Sequence, residues 1–322
     1  MIIVNINLIY MKLKLLLSAA LFLMAFTSKA QNPDAAQAIV HYKFSHLQDS
    51  TKRDSLYTEN MTLIIGRNAS AYKSLDRQRR DENIRQQIQE QMANAVAIGG
   101  AINLKSAGKA VGSTTEFYQF SAEKKLVRKE KLMVNTYLIS EALPVINWKI
   151  SSDTASFSGL HCQKATAHFK GRDYVAWFCA DMPYHTGPWK LNGLPGLIIE
   201  AADTKNEVLF KFAGLERVAD VAKKVPEAGT GGGTIIKIMG ADESPKDPGT
   251  IALPTNGIAA TEGELARLKE AVKKDPNAYI QSAMAASGIS GTVSNIKNST
   301  IRNAMGKAAA VINNPIELSE KK

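Results

Sequence analysis

Signatures of catalysis, metal binding and nucleotide binding are missing from this sequence. Five histidines are present, His41, His46, His161, His168 and His185, and no two stand at the i, i+4 spacing of a helical zinc pair. The two cysteines, Cys162 and Cys179, have no histidine at ligand spacing, so they do not read as a zinc site. Ala107-Gly108-Lys109-Ala110 lacks the upstream Gly and the Ser/Thr of a phosphate-binding loop. The glycine run from Gly229 ends in Thr234 and leads into a strand pattern, which removes the dinucleotide fingerprint. Phe157-Ser158-Gly159 follows Ser156, where a nucleophile elbow needs Gly. No metal, cofactor or catalytic residue is therefore assigned. A triad built from separated residues leaves no spacing signal, so these absences remove motif-borne chemistry and nothing more.

Long apolar runs are equally scarce. The one that stands out is near the N-terminus, where Met11-Lys12-Leu13-Lys14 is a short basic start and Leu15 to Phe26 is an apolar core. Ser28-Lys29-Ala30 then places small residues at the two positions a signal peptidase reads. This pattern predicts a secretory signal peptide over residues 1–30, with Met11 as the true start. The core is short of the about 20 apolar residues of a membrane span. The alternative is an uncleaved anchor formed by residues 1–26. No cysteine follows the cleavage point, so no lipid attachment is expected there, and no integral membrane segment is expected after cleavage. The expected location is the periplasm or the exterior.

Cleavage after Ala30 leaves 292 residues (322 less 30), enough for a sizeable core. Removing Lys12, Lys14 and Lys29 lowers the net charge from +10 to +7. A basic balance can signal a nucleic-acid partner. Here the one dense run, Arg77, Arg79, Arg80 and Arg85, is interleaved with Asp76, Asp81, Glu82 and Glu90, which reads as a solvated helix face. No nucleic-acid partner is expected.

What is present is mostly β pattern. Val40, Tyr42 and Phe44 alternate with His41 and Lys43, and Tyr57, Glu59, Met61, Leu63 and Ile65 form a second run of period two. Between Asp76 and Val96 the period changes. Ile84, Ile88, Met92 and Val96 recur every four residues, which predicts an amphipathic helix, followed by an Ala/Gly-rich loop to Gly112. This reads as a helical insertion, about 74–112, between strands. Further strands are expected at Phe117–Phe120, Leu132–Ile139, Trp148–Ile150, Leu160–Phe169, Tyr174–Ala180, Leu197–Ala202 and Val208–Leu215. Their short links demand antiparallel neighbours. The expected fold is mainly β: one curved antiparallel meander of about eight to ten strands, spanning residues 31–218, with inserted and C-terminal helices. Residues 219–322 read as a Gly/Pro-rich linker and a partly helical extension. That extension includes a strand at Thr234–Met239 and helices at Glu262–Val272, capped by Thr261, and Asn277–Ala285.

Both cysteines fall in one predicted hairpin. If its turn centres between Lys170 and Gly171, Cys162 and Cys179 are equally far from the centre and pair directly. Opposed residues have Cβ atoms about 4.5 to 5.5 Å apart, close to disulfide range. In an oxidising compartment a structural disulfide is expected. The alternatives are two buried free thiols, or a register one residue off, which would put the pair on opposite faces.

The densest signal is Gly187-Pro188-Trp189-Lys190-Leu191-Asn192-Gly193-Leu194-Pro195-Gly196-Leu197-Ile198-Ile199. Leu194-Pro195-Gly196-Leu197 fits a type II turn, with Pro fixing φ at the second position and Gly supplying a positive φ at the third. Gly193 is expected to permit close backbone approach, the strand of Leu197, Ile198 and Ile199 to be buried on both faces or at a crowded corner, and Trp189 to cap the core. The hexapeptide Gly193–Ile198, with Gly159, Cys162, Lys164-Ala165, Gly171-Arg172, Ala176-Trp177, Gly187-Pro188 and the closing Asn314-Pro315-Ile316-Glu317-Leu318, resembles the GLPGLI family of exported proteins. The resemblance covers about Trp148 to Leu215 well and Tyr42 to Tyr72 more weakly. It implies export in a Gram-negative bacterium and supplies no activity. Cys179 departs from it, since members more often carry a hydroxyl residue there.

Two readings of this segment stay open. One is a purely structural corner. The other is a ligand-facing loop in which Arg172, Trp177, Tyr184, His185, Trp189 and Asn192 converge. The function these patterns favour is a non-catalytic binding or carrier protein of the cell envelope, holding a small apolar ligand or an envelope protein. The alternatives are an envelope hydrolase with a site near His185, Asp181 and Arg172, and an accessory module of an outer-membrane transport or metal-handling system.

Overall fold

Tyr57 to Gly66 contains Met-Thr-Leu-Ile-Ile, an apolar run too continuous for a strand with one wet face, and burial explains it. Val40 and Leu63 point to one side of the sheet and Ile39 and Ile64 to the other, and all four are buried. The first side carries the main core, with Tyr42, Met61, Ile65, Tyr72 and Phe210 among its members. The second carries a smaller cluster around Ile39, Ile64, Tyr118 and Val127. We call these the inner and outer faces.

The computed structural model describes residues 33–98, 112–133, 135–218, 249–276, 278–279, 281–282 and 312–320. The signal segment, the glycine linker, the strand expected at Thr234–Met239 and most of the second C-terminal helix lie outside the described residues. Eleven strands run in chain order before the linker: β1 (Asp34–His46), β2 (Tyr57–Gly66), β3 (Ala69–Ser74), β4 (Thr115–Phe120), β5 (Lys125–Leu132), β6 (Asn135–Ala142), β7 (Lys149–Phe157), β8 (Leu160–Phe169), β9 (Arg172–Cys179), β10 (Leu197–Asp203) and β11 (Val208–Arg217). Two-residue strands β12 (Thr250–Ile251) and β13 (Ile258–Ala259) follow it. Helix α1 (Leu75–Ile98) falls between β3 and β4, which pair directly, so it interrupts a hairpin as the sequence suggested. Helix α2 (Glu262–Lys274) begins at a capping box in which Thr261 and Glu264 satisfy each other's backbone N–H groups.

All thirteen strands belong to one sheet, ordered β13-β6-β5-β4-β3-β2-β1-β11-β10-β9-β8-β7, with β12 beside β1. The sheet is two antiparallel meanders, β1–β6 and β7–β11, joined side by side where β1 pairs β11. One pair, β13 with β6, is parallel. The expected curvature follows from one length. β6 and β7 lie ten strand steps apart in the order, about 48 Å if the sheet were flat. The chain joins them through residues 143–148 alone, which reach at most about 25 Å. The sheet therefore curls until its two margins approach. Ile146 of this tether is buried in the inner core.

The β8–β9 hairpin turns at Lys170 and Gly171, with φ of 52° and 70°, a type I′ geometry whose twist matches the strands it joins. Gln163 pairs with Phe178 and Phe169 with Arg172, the register read from the sequence. The disulfide that this register suggested is absent. Cys162 and Cys179 are free and buried. They stand 4.3 Å apart, against the about 2 Å of an S–S bond. Each end is positioned by a second neighbour, Cys162 by Ala155 of β7 and Cys179 by Leu197 of β10, and the Cys162 thiol turns to the Leu160 carbonyl at 3.5 Å. Burial, then the neighbouring Cys179, pushes the Cys162 thiol up to about 12, so it stays protonated.

Candidate functional site

The segment between β9 and β10 folds into the inside of the curl. Its backbone is pinned by Leu197 N to Met182 O (3.0 Å), Ile198 N to Thr186 O (3.1 Å) and Gly193 N to His185 O (3.3 Å). Side chains of the first meander hold it from across: Gln119 of β4 donates to the carbonyls of Trp189 (3.2 Å) and Leu191 (3.4 Å), and Tyr42 of β1 donates to the Ile198 carbonyl (2.7 Å). Leu197, Ile198 and Ile199 are fully buried. Trp189, with φ of 57°, packs on Phe169, Tyr174 and Phe210 at ring separations of 5.6, 6.4 and 6.4 Å. It caps the core as expected.

The two hexapeptide glycines exchange the roles expected of them. Gly193 has φ of 88° and open space where a Cβ would stand, so it supplies the left-handed residue. Gly196 has no such φ, and a Cβ there would lie 2.2 Å from the Cys179 carbonyl oxygen. Leu194–Leu197 is therefore not a type II turn. Proline's partner glycine is needed for contact with β9, a requirement that turn statistics do not register.

The six candidate ligand residues do not form one site. Arg172 and Trp177 differ by five positions on β9, so their side chains leave opposite faces. Trp177 is half-buried against Phe157 at 5.6 Å. Tyr184 is half-buried and His185 exposed on the loop. Asn192 is buried and donates to the carbonyls of Pro144 (3.1 Å) and Lys190 (3.0 Å), while its own carbonyl accepts from the Trp148 indole (2.8 Å). Asn192 thus holds the β6–β7 tether to the loop.

Arg172 is spent as well. Its five N–H donors meet Ile316 O (3.0 Å), Asp203 (2.7 Å), Glu207 (3.0 Å), Asn314 Oδ1 (2.7 Å) and Pro315 O (2.8 Å). Three of these belong to the C-terminal segment 312–320. Asn314 also donates to Leu47 O (2.8 Å) and Glu207 (3.0 Å), and its carbonyl accepts from His46 Nε2 (2.8 Å). Burial raises the Glu207 carboxyl, but hydrogen bonds from Arg172 and Asn314 outweigh it and hold the group below its ordinary range. A Cβ on Gly171 would meet Leu318 at 2.7 Å. The closing motif is therefore a strap, and Gly171-Arg172 is its seat.

Beyond this filled half of the curl lies a trough of about 1600 Å³. Its lining includes the strap, Lys190 and helix α2, whose Leu265 is buried against Tyr137 and Ile139. Phe44, Met61, Tyr72, Phe117, Trp189 and Phe210 supply an apolar, aromatic floor. Of the six residues proposed from sequence, Trp189 alone lines it. The remaining floor residues were overlooked because each is an ordinary inward position of a strand; the alternation of Tyr42 and Phe44 was the available clue.

Charges ring this floor in pairs. Lys190 is shared by Glu141 (3.2 Å) and Glu317 (2.9 Å), and its ammonium lies 5.8 Å from the centre of the Phe117 ring. Arg128 meets Glu130, Glu141 and, from α2, Glu262. Glu59 accepts from Tyr57 (2.6 Å) and Ser113 N (2.5 Å). The Tyr72 hydroxyl is buried and has no partner among the described residues. Burial, then the nearby Glu59, raises it well above the ordinary phenol range, so it remains a neutral donor. Among the described residues no cluster of His, Cys, Asp and Glu is arranged to hold a metal, and no helix is long and apolar enough to cross a membrane.

A family model described as a protein of unknown function (Porph_ging) matches residues 168–200, the seat of the strap and the whole corner loop. Among curated proteins none matches the sequence. Two solved structures of PNGF-II, in space groups P21 and C2, are similar at 11% and 12% identity, each with a TM-score of 0.39. They cover 57% and 56% of this chain and 28% of their own.

Proposed function

We propose that this is an exported, non-catalytic binding or carrier protein of the cell envelope, and that the trough is where its cargo sits. The trough itself carries the reading. Binding sites are concave and mostly apolar with a few placed polar groups, and drug-sized pockets occupy about 300 to 1000 Å³. A cavity of about 1600 Å³ floored by aromatic rings suits a larger apolar molecule. The basic start, apolar core and small-residue cleavage pattern at residues 11–30 support export to the periplasm or beyond. The resemblance to the GLPGLI family points to the same compartment.

Native mass spectrometry of protein purified from its own periplasm tests this reading. A co-purifying lipid or other apolar molecule is expected, displaced when Phe117 and Phe210 are replaced by Asp. A protein that arrives empty, turns over an ester or peptide panel and loses that turnover on His185→Ala would defeat it in favour of a hydrolase.

A further inference from the structure

We propose that the trough takes an uncharged single-chain amphiphile, its chain along the aromatic floor and its ester carbonyl or hydroxyl paired with Tyr72. This rests on the binding-protein reading and names the class of molecule bound. Two independent observations carry it.

The first is the charge balance of the lining. The charged side chains beside the aromatic floor are already engaged: Lys190 with Glu141 and Glu317, Lys170 with Glu317, Arg128 with Glu130 and Glu262, Arg77 with Asp81, Glu59 with Tyr57 and Ser113 N. A carboxylate or phosphate on the ligand would have to take Lys190 or Arg128 from its acids. That exchange leaves a partly buried carboxylate unpaired, and breaking such pairs is strongly unfavourable. An uncharged head brings no such conflict. The second observation is the Tyr72 hydroxyl. Its ring is part of the floor, set edge-on to Tyr42 and Phe210 at 6.3 Å each, and its oxygen is buried without a partner among the described residues. Buried polar groups are nearly always satisfied, and the group missing here is one acceptor. One unpaired donor on an aromatic floor matches a chain with few polar groups. It does not match a glycan, whose many hydroxyls would each need a partner.

Titration calorimetry of the delipidated full chain tests this with three probes: 1-monopalmitoylglycerol, palmitate and a hexamer of N-acetylglucosamine. Monopalmitoylglycerol should bind, and palmitate at pH 7.5 should bind at least about tenfold more weakly. Tyr72→Phe should melt at the same temperature as the parent or higher, because it removes an unsatisfied buried group. The same variant should bind monopalmitoylglycerol roughly three- to tenfold more weakly, the worth of one hydrogen bond. Equal affinity in parent and variant removes Tyr72 from the site. Preference for palmitate or for the hexamer overturns the ligand class while leaving a binding protein. Binding of none of the three probes by the parent overturns the proposal, and a periplasmic preparation that is also empty takes the binding-protein reading with it.

Discussion

Gly193 and Gly196 are three residues apart in one motif and are required for unrelated reasons. The first needs a left-handed backbone and has room for a side chain; the second has ordinary backbone and no room. Substitution separates them. Gly193→Asn should cost less than about 1 kcal/mol, since Asn tolerates that region of φ and meets nothing. Gly196→Ala should cost more, toward the upper part of the about 1–3 kcal/mol of an overpacked core, because the obstacle is the Cys179 backbone and cannot rotate away. Denaturant midpoints of the two variants decide it, and equal losses would refute the assignment. Arg172 shows the same separation of identity from role. The sequence marks it as an informative residue, yet with all five donors engaged inside the chain it has nothing left for a ligand.

The strap is two elements in one. Its first half, Asn313–Pro315, is bolted by hydrogen bonds to Gln48, Leu47 and Arg172, those of the Asn314 side chain to Leu47 and Arg172 being buried. Its second half is held at the surface by ionisable groups: Glu317 with Lys190 and Lys170, Glu320 with His168 and Gly171 N, and Asp173 on the other side of His168. Hydrogen bonds donated to Asp173 and then to Glu320 raise His168 above 6.5, so its contribution is complete below 6.5 and lost as pH rises through the raised value. His168 and the Gly171 N–H lower Glu320; Lys190 and Lys170 lower Glu317 against the raising effect of its burial. These carboxylates contribute above 4.5 and lose their hold as pH falls through the lowered values. Amide exchange at 317–320, corrected for intrinsic rate, should therefore be slowest at about pH 5 to 6 and faster on both sides. Salt should flatten the profile, because these are partly exposed pairs. A flat profile at low salt would refute the ionic grip. Legibility in the sequence differed element by element for physical reasons. Strands with apolar alternation, β1, β2 and β8–β11, were visible, and so was the Lys170-Gly171 turn. β5 was missed because Lys-Leu-Val-Arg-Lys-Glu-Lys-Leu reads as a surface segment; in the sheet Lys129 is buried against Glu116 at 2.9 Å. β3 was missed because Ala-Ser-Ala-Tyr-Lys-Ser is short and polar, and its central place buries even its serines. Those two strands, with the two-residue β12 and β13, account for the difference between the thirteen found and the eight to ten expected.

At the scale of the molecule, the curved antiparallel meander was readable from link lengths, whereas the site was not. Trp189 announces itself as an aromatic between turn residues. Phe44, Tyr72, Phe117 and Phe210 come from four strands and meet because β1 pairs β11 across more than half the chain, a pairing no local pattern encodes. The tether at 143–148 has a mechanical meaning besides its geometric one. It is a hoop that limits how far the margins of the sheet can spring apart: the gap can widen to about 25 Å and no further while the strands stay paired. On the proposed binding function, breathing of the mouth within that allowance would let a long cargo enter or leave without unfolding. Doubling the hoop by six Gly/Ser residues after Val145, which is 89% exposed, should cost only about 0.6 kcal/mol in loop closure. Stability should barely change, while cargo release, followed by stopped-flow Trp fluorescence, should speed up. An unchanged release rate would mean that the aperture is set by the strap and α2 and that the hoop never comes taut.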